Sequence, residues 1–204
     1  MSWFSKEKYP RHLSDDESVL RQGALLVWEA FKIVVISLAI IIPVRYYIIK
    51  PFYVKGASME PSFYDHEYLI IDEITYRFNE PKRGQPVVFH YPFDRSQHFI
   101  KRIIGLPGET VKITEGKVYI INNENPEGYL LTEDYLLPAM QTHGEHLVTL
   151  GVDEYFLLGD NRTASLDSRV FGAVKRSEIV GRTFLRGWPF DRAGILLQDI
   201  DYNL

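Results

Sequence analysis

Phe99-Ile100-Lys101-Arg102-Ile103-Ile104-Gly105-Leu106-Pro107-Gly108 is a run rich in β-branched and aromatic residues that ends in a Gly/Pro cluster, which predicts a buried strand closed by a turn. Strand alternation sets Phe99, Lys101 and Ile103 on one face and Ile100, Arg102 and Ile104 on the other, so each face carries a cation among apolar neighbours. The two cations differ in what they can do. Arginine stays protonated, whereas a desolvated lysine can lose several pKa units and accept a proton. With an ordinary pKa of about 10.4, only about four lysines in ten thousand are neutral at pH 7. Burial is therefore a condition for Lys101 to act as a base. The plain alternative is a lysine that snorkels from an edge strand, with Arg102 paired to a carboxylate elsewhere.

Short runs of the same kind recur on both sides: Tyr68 to Ile71, Pro86 to Tyr91, Thr110 to Ile113, Lys117 to Ile121, Glu154 to Leu158 and Glu178 to Phe184. Gly and Pro clusters separate them, which predicts a mostly β fold of antiparallel sheets, barrel-like or packed face to face. Glu115-Gly116 reads as a hairpin turn. Residues 122–150 are polar and irregular, so a small insertion or subdomain is expected at about 114–150. No internal repeat or low-complexity tract is present.

Upstream, Ile33 to Val44 is apolar except for Ser37, and the pattern continues past Arg45 through Tyr46, Tyr47, Ile48 and Ile49. A helix over this stretch approaches the roughly 30 Å of a hydrocarbon core, with Lys32 and Arg45 able to snorkel. The expected division is a cytoplasmic segment over 1–29, a single transmembrane helix over 30–49 and an extracytoplasmic β domain over 50–204. Lys6, Lys8, Arg11, Arg21 and Lys32 precede the span, against Lys50 and Lys55 just after it, which favours a cytoplasmic N-terminus in the cell membrane. A cleaved signal peptide fits less well, because Asp15, Asp16 and Glu17 precede the run and no small-residue cleavage site follows it. A buried core helix is the other alternative.

The 204 residues carry a net charge of −4 and no cysteine. That balance gives no reason to expect a nucleic-acid partner, and the missing cysteines exclude disulfides, cysteine nucleophiles and thiolate metal sites. His12, His66, His90, His98, His143 and His146 are the histidines. One of His66, His90 or His98 could serve a serine in a conventional triad. His143 and His146 flank Gly144 and lack an evident third ligand, so no metal site is expected.

Ser58 lies in Gly56-Ala57-Ser58-Met59-Glu60-Pro61, where glycine and proline suit a tight excursion that exposes a side chain. An extended link of nine residues from Ile49 keeps it within about 30 Å of the bilayer edge. Gly159-Asp160-Asn161-Arg162, followed by Ser165, Asp167, Ser168, Arg169, Phe171 and Gly172, alternates carboxylates with guanidiniums. Such a loop can be locked by charge-assisted pairs and can hold a hydroxyl in place.

From about Arg45 to Gly194 these segments resemble the type I signal peptidases. Lys55 to Pro61 resembles the nucleophile box, Lys101 to Glu109 the general-base box and Gly159 to Gly172 the closing box. Gly181-Arg182 through Trp188-Pro189, Arg192 and Gly194 follows the C-terminal pattern. The resemblance implies a membrane-bound serine endopeptidase that removes signal peptides from exported preproteins after small residues, as in Ala-X-Ala. It makes Ser58 the nucleophile, with its backbone N–H an oxyanion donor, and Lys101 the general base. Ser165 would orient the lysine amine, and Asp160, Arg162, Asp167 and Arg169 would organise the loop. Neither metal nor organic cofactor is implied; the partners are preproteins and membrane lipid. Ser62-Phe63 stands where the family commonly has threonine and leucine, and Gly56 where one branch has a hydroxyl that helps bind the oxyanion. Two rival readings are a self-processing Ser-Lys peptidase and a catalytically impaired, membrane-tethered β domain that binds secretory proteins.

Overall fold

The computed structural model describes residues 15–47, 50–196, 200 and 202. It divides into two units, residues 1–45 and 46–204. In the first, helix α1 runs over Asp15–Tyr47, and within it Arg21–Ile42 is long and apolar enough to cross a membrane, with none of that stretch buried. The helix thus starts well before residue 30, where the span was expected to begin. Gly23-Ala24-Leu25-Leu26-Val27-Trp28 extends the apolar surface, and Lys32 neutralises Glu29 in an i,i+3 pair at 2.7 Å. Ile48 and Ile49, the end of the expected span, lie outside the described residues.

The second unit is built from strands β1 (Lys50–Tyr53), β2 (Tyr68–Asp72), β3 (Pro86–Tyr91), β4 (Asp94–Gly105), β5 (Thr110–Thr114), β6 (Lys117–Ile121), β7 (Tyr129–Leu130), β8 (His146–Thr149), β9 (Glu154–Leu158), β10 (Val174–Lys175), β11 (Ile179–Trp188) and β12 (Gly194–Ile195). Two short helices, α2 (Thr75–Phe78) and α3 (Ser168–Phe171), lie between them. One sheet has eight strands in the order β1-β2-β11-β3-β4-β9-β10, with β12 on β11; the other has four, β7-β6-β5-β8. Every pairing is antiparallel. The second sheet occupies the region expected to be an insertion, and the stretch read as irregular holds β7 and β8. At its centre Glu115 and Gly116 both have positive φ, 51° and 76°, and the turn closes on the Thr114–Lys117 pair.

The large sheet is buried on both sides, which explains the near-continuous apolar runs of its central strands. Along β9, Tyr155 and Leu157 join one core cluster with Val87, Phe89 and Ile103, while Phe156 and Leu158 join another with Ile104, Val111 and Ile120. A third cluster gathers Val54, Met59, Phe63, Leu69 and Ile100 beneath the loop that follows β1. The sheet also curls. Phe52 of β1 and Phe99 of β4 line one cavity although three strands separate β1 from β4 in the hydrogen-bonded order.

Candidate active site

The loop after β1 is held by its backbone. Val54 and His66 exchange strand-like bonds with Glu67 and Val54, and Phe63 N–H donates to Met59 O at 2.9 Å. Gly56 sits at φ +84°, in the region that favours glycine, and its N–H donates to Asp65 Oδ1 at 2.9 Å. Met59, 1% exposed, plugs into the third core cluster. The loop is thereby pinned on both sides of Ser58, which remains half-buried at the wall of the cavity.

Lys101 reaches the same point from β4. It is 3% exposed, so it does not snorkel, and its Nζ donates to Ser58 Oγ at 2.7 Å and to Ile100 O at 2.8 Å. Phe99 presents its ring 5.5 Å from the amine. Burial pushes the lysine pKa down to about 8 against the opposing pull of Asp167 and Asp160. At that value about one amine in ten is neutral at pH 7, some two hundredfold more than for an ordinary lysine. The pair therefore has the two properties that nucleophile activation needs, hydrogen-bond reach and an available base form.

The 159–172 loop abuts this pair. A Cβ on Gly159 would lie 2.0 Å from Ser165 Oγ and 2.5 Å from Ser58 O, so only glycine lets the two segments approach this closely. Of the four charged residues expected to lock the loop, only Asp167 and Arg169 pair with each other, through Arg169 Nε and Nη2 at 2.8 Å each. Burial works to raise the Asp167 pKa, but the Arg169 guanidinium outweighs it, helped by the Gly159 N–H and the Ser165 hydroxyl, and holds the carboxyl below the usual range. Asp160 and Arg162 reach outside the loop. Arg102 forks onto Asp160 at 2.8 and 2.5 Å and stacks 4.1 Å from the Tyr135 ring. Arg162 pairs with Glu133, bonds Thr142 and donates to Gly159 O at 3.0 Å. Both are essentially buried, and each takes the ionic partner brought alongside by the sheets: Arg102 lies opposite Leu158 in the ladder, two residues before Asp160.

Ser165 lies against Gly159 with its Oγ buried, but it makes no hydrogen bond to the Lys101 amine, whose partners are Ser58 and Ile100. Sequence reasoning missed Glu133, Tyr135 and Asp65, which carry no local signal, and gave no role to Asn161 although it lies inside the quoted motif. Asn161 N–H donates to Ser58 O and its side chain to Ala57 O, each at 3.1 Å. Ser62 Oγ accepts from Arg102 at 3.2 Å and Ser62 O from Arg186 at 2.6 Å, while Phe63 packs in the core beneath. In the C-terminal pattern, Arg182 pairs with Asp72 at 3.1 Å and Arg192 with Glu67 at 2.7 Å.

The histidines are placed otherwise than a triad needs. His66 bonds Tyr53, the rings of His90 and His98 lie tilted at 47° with centroids 4.4 Å apart on β3 and β4, and His12 lies outside the described residues. Among the described residues no cluster of His, Asp or Glu has metal-binding geometry.

The sequence matches the family described as "Signal peptidase, peptidase S26" over residues 27–188. It is 38% identical over 180 residues to "Probable signal peptidase I-2" of Synechocystis sp., covering 85% of this chain and 78% of that protein. It is 32% identical over 192 residues to "Signal peptidase I" of Bacillus amyloliquefaciens, covering 87% and 96%. A crystal structure of a signal peptidase I from Enterococcus faecalis V583 is 32% identical and covers 51% of this chain and 97% of its own, at a TM-score of 0.43. With most of its length matched and a relative of this identity so fully covered, the chain belongs to the signal peptidase family, peptidase S26.

Proposed function

We propose that this protein is a membrane-bound serine endopeptidase that removes N-terminal signal peptides from exported preproteins, with Ser58 as nucleophile and Lys101 as general base. The observation that carries the reading is the 2.7 Å contact between the Ser58 hydroxyl and an enclosed amine whose pKa is driven down to about 8. Neutral Lys101 takes the Ser58 proton as Oγ attacks the scissile carbonyl carbon. The oxyanion of the tetrahedral adduct accepts a hydrogen bond from the Ser58 N–H, which has no acceptor among the described residues. The adduct collapses, the C–N bond breaks and the Lys101 ammonium protonates the departing amine of the mature protein. Water, deprotonated by the same lysine, then releases the signal peptide from Ser58. Ser165, with its buried hydroxyl beside Gly159, is the residue we assign to orienting the amine during this cycle, and Asp160, Arg162, Asp167 and Arg169 hold the loop that carries it. No metal or organic cofactor takes part, and no nucleic acid is a partner.

The substrate binds extended. The cavity beside Ser58 has a volume of about 670 Å³ and is lined by β1, the 55–58 loop, residues 97–101 of β4, Ala164 and Leu166. β1 is a sheet edge, and β9 pairs only with the 102–105 end of β4, so backbone edges on both walls are open to a peptide strand. Side chains that must enter between Phe52, Tyr53 and Phe99 are expected to be small, in line with cleavage after Ala-X-Ala. The apolar helix anchors the enzyme in the cell membrane with the N-terminus cytoplasmic and the catalytic domain outside, and Ser58, within about 30 Å of the bilayer edge, suits a substrate whose own apolar segment is still in the membrane.

The test is cleavage of a preprotein by the full-length protein in detergent. Ser58→Ala, Lys101→Ala and Lys101→Arg are each expected to lose at least about a hundredfold in kcat/KM. Intact cleavage by Lys101→Ala would remove the dyad, and a parent unable to cut any preprotein would favour a binding domain without activity.

A further inference from the structure

The two peptide groups that flank Ser58 are both held by one residue of the 159–172 loop. Asn161 N–H donates to Ser58 O at 3.1 Å, and Asn161 Nδ2 donates to Ala57 O at 3.1 Å. The second lone pair of Ala57 O accepts the Glu60 N–H at 3.2 Å, so that carbonyl is fully committed. The Ala57–Ser58 peptide is trans, and in a trans peptide the C=O and N–H point in opposite directions. Drawing the Ala57 carbonyl towards the loop therefore turns the Ser58 N–H away from it. That N–H belongs to a residue lining the cavity and has no acceptor among the described residues. The amide of Asn161 is itself oriented: Thr163 Oγ1 donates to Asn161 Oδ1 at 3.0 Å, which leaves the NH₂ end for Ala57.

We infer that Asn161 is a positioning residue for the oxyanion site: its side-chain amide, set by the Thr163 hydroxyl, holds the Ala57 carbonyl so that the Ser58 N–H is aimed at the developing oxyanion. The inference rests on Ser58 as the nucleophile. It supplies the pre-organisation that electrostatic stabilisation of a tetrahedral adduct requires, since a donor fixed before the reaction need not reorient during it. Gly56, which stands where one branch of the family has an oxyanion-binding hydroxyl, brings no side-chain donor, and its N–H is already engaged by Asp65. The Ser58 N–H consequently carries more of the task, and its direction matters more.

The experiment uses the full-length protein in detergent, with a cleavable preprotein, a peptide boronate that forms a tetrahedral adduct on Ser58, and an uncleavable peptide of the same sequence. Asn161→Ala is expected to lower kcat by about 10- to 30-fold with KM within about twofold. This is less than the hundredfold or more that follows loss of an oxyanion donor, because the main-chain bond to Ser58 O survives the substitution. Boronate affinity should fall in proportion to kcat/KM while affinity for the uncleavable peptide is kept, and the pH profile should not move, because the surroundings of the Lys101 amine are unaltered. Asn161→Asp should lose at least as much, since an ionised carboxylate cannot donate to Ala57 O. Thr163→Val should lose about threefold. Parental kcat in Asn161→Ala, equal loss of both affinities, or a displaced pH limb would each overturn the assignment. Cleavage that persists in Ser58→Ala would instead remove the reading of the site on which the inference depends.

Discussion

The Lys101 amine is enclosed by Phe99, Ile100 and Ser58, and burial brings its pKa down to about 8 although Asp167 and Asp160 pull the other way. Two pH dependences follow from that one group. The proposed general base acts as the neutral amine, so kcat/KM of the free enzyme should rise about tenfold per pH unit below 8 and level off above it. A profile measured from pH 6 to 10 with its limb near 10 would mean that the amine is not desolvated. Stability moves in the same direction. Between about pH 8 and 10.5 the unfolded chain holds a proton on Lys101 that the folded chain has released, so this residue's contribution to stability rises with pH across that window and is at its lowest below 8. Lys101→Met, which removes the buried charge and keeps the length, should therefore be inactive yet more stable at pH 7 by up to about 3 kcal/mol. Denaturant melts at pH 7 and pH 10 check this: the gain should shrink at the higher pH.

The proposed catalytic pair depends on three elements that the fold brings together. β4 delivers the lysine, the loop after β1 delivers the serine, and the 159–172 loop packs against the serine backbone through Gly159. Gly159→Ala should lower kcat by more than tenfold, because its Cβ would press on Ser58 O and Ser165 at once and the backbone of the nucleophile must yield. The small sheet contributes by a different route. Glu133, in the stretch between β7 and β8, supplies the counter-charge for Arg162, whose side chain is wholly buried and also holds Gly159 O. Glu133→Gln leaves that guanidinium short of a charge partner and should destabilise the fold by about 3 kcal/mol, read by thermal unfolding, with kcat reduced in the same variant. Unchanged stability would show that Thr142 and Gly159 O suffice for Arg162.

For the whole molecule, the absence of cysteine from the 204 residues makes membrane topology directly measurable. Single substitutions Ser5→Cys, before the apolar helix, and Val152→Cys, 94% exposed in the catalytic unit, give a two-site label for a membrane-impermeant thiol reagent. In intact cells Val152→Cys should be labelled and Ser5→Cys protected until the membrane is opened. The opposite pattern would reverse the proposed orientation. The apolar surface of Arg21–Ile42 has none of its residues buried and no cover among the described residues of its own unit, which is the physical ground for expecting lipid around it.

Much of this was legible in the chain. Strands that alternate or run continuously apolar announce themselves by period and by the turns that end them, so Pro86–Tyr91, Lys117–Ile121 and Glu154–Leu158 were placed to the residue. Strands of two to four residues such as Tyr129–Leu130 and His146–Thr149 were not, because pairing with an existing sheet, rather than their own composition, makes them strands. By itself the sequence determined the antiparallel β class, the apolar helix and the candidate base Lys101, since each follows from local pattern or from what a side chain can chemically do, while Ser58 became a candidate through the resemblance of its segment to the family's nucleophile box. Only the tertiary structure decided which partner each buried charge takes. Arg102 rather than a loop neighbour holds Asp160, Glu133 holds Arg162, and Asn161 rather than Ser165 touches the nucleophile segment by hydrogen bond. Ion pairs and hydrogen bonds act over a few ångströms in space, and residues 29 to 104 positions apart come within that reach only when the sheets curl and stack.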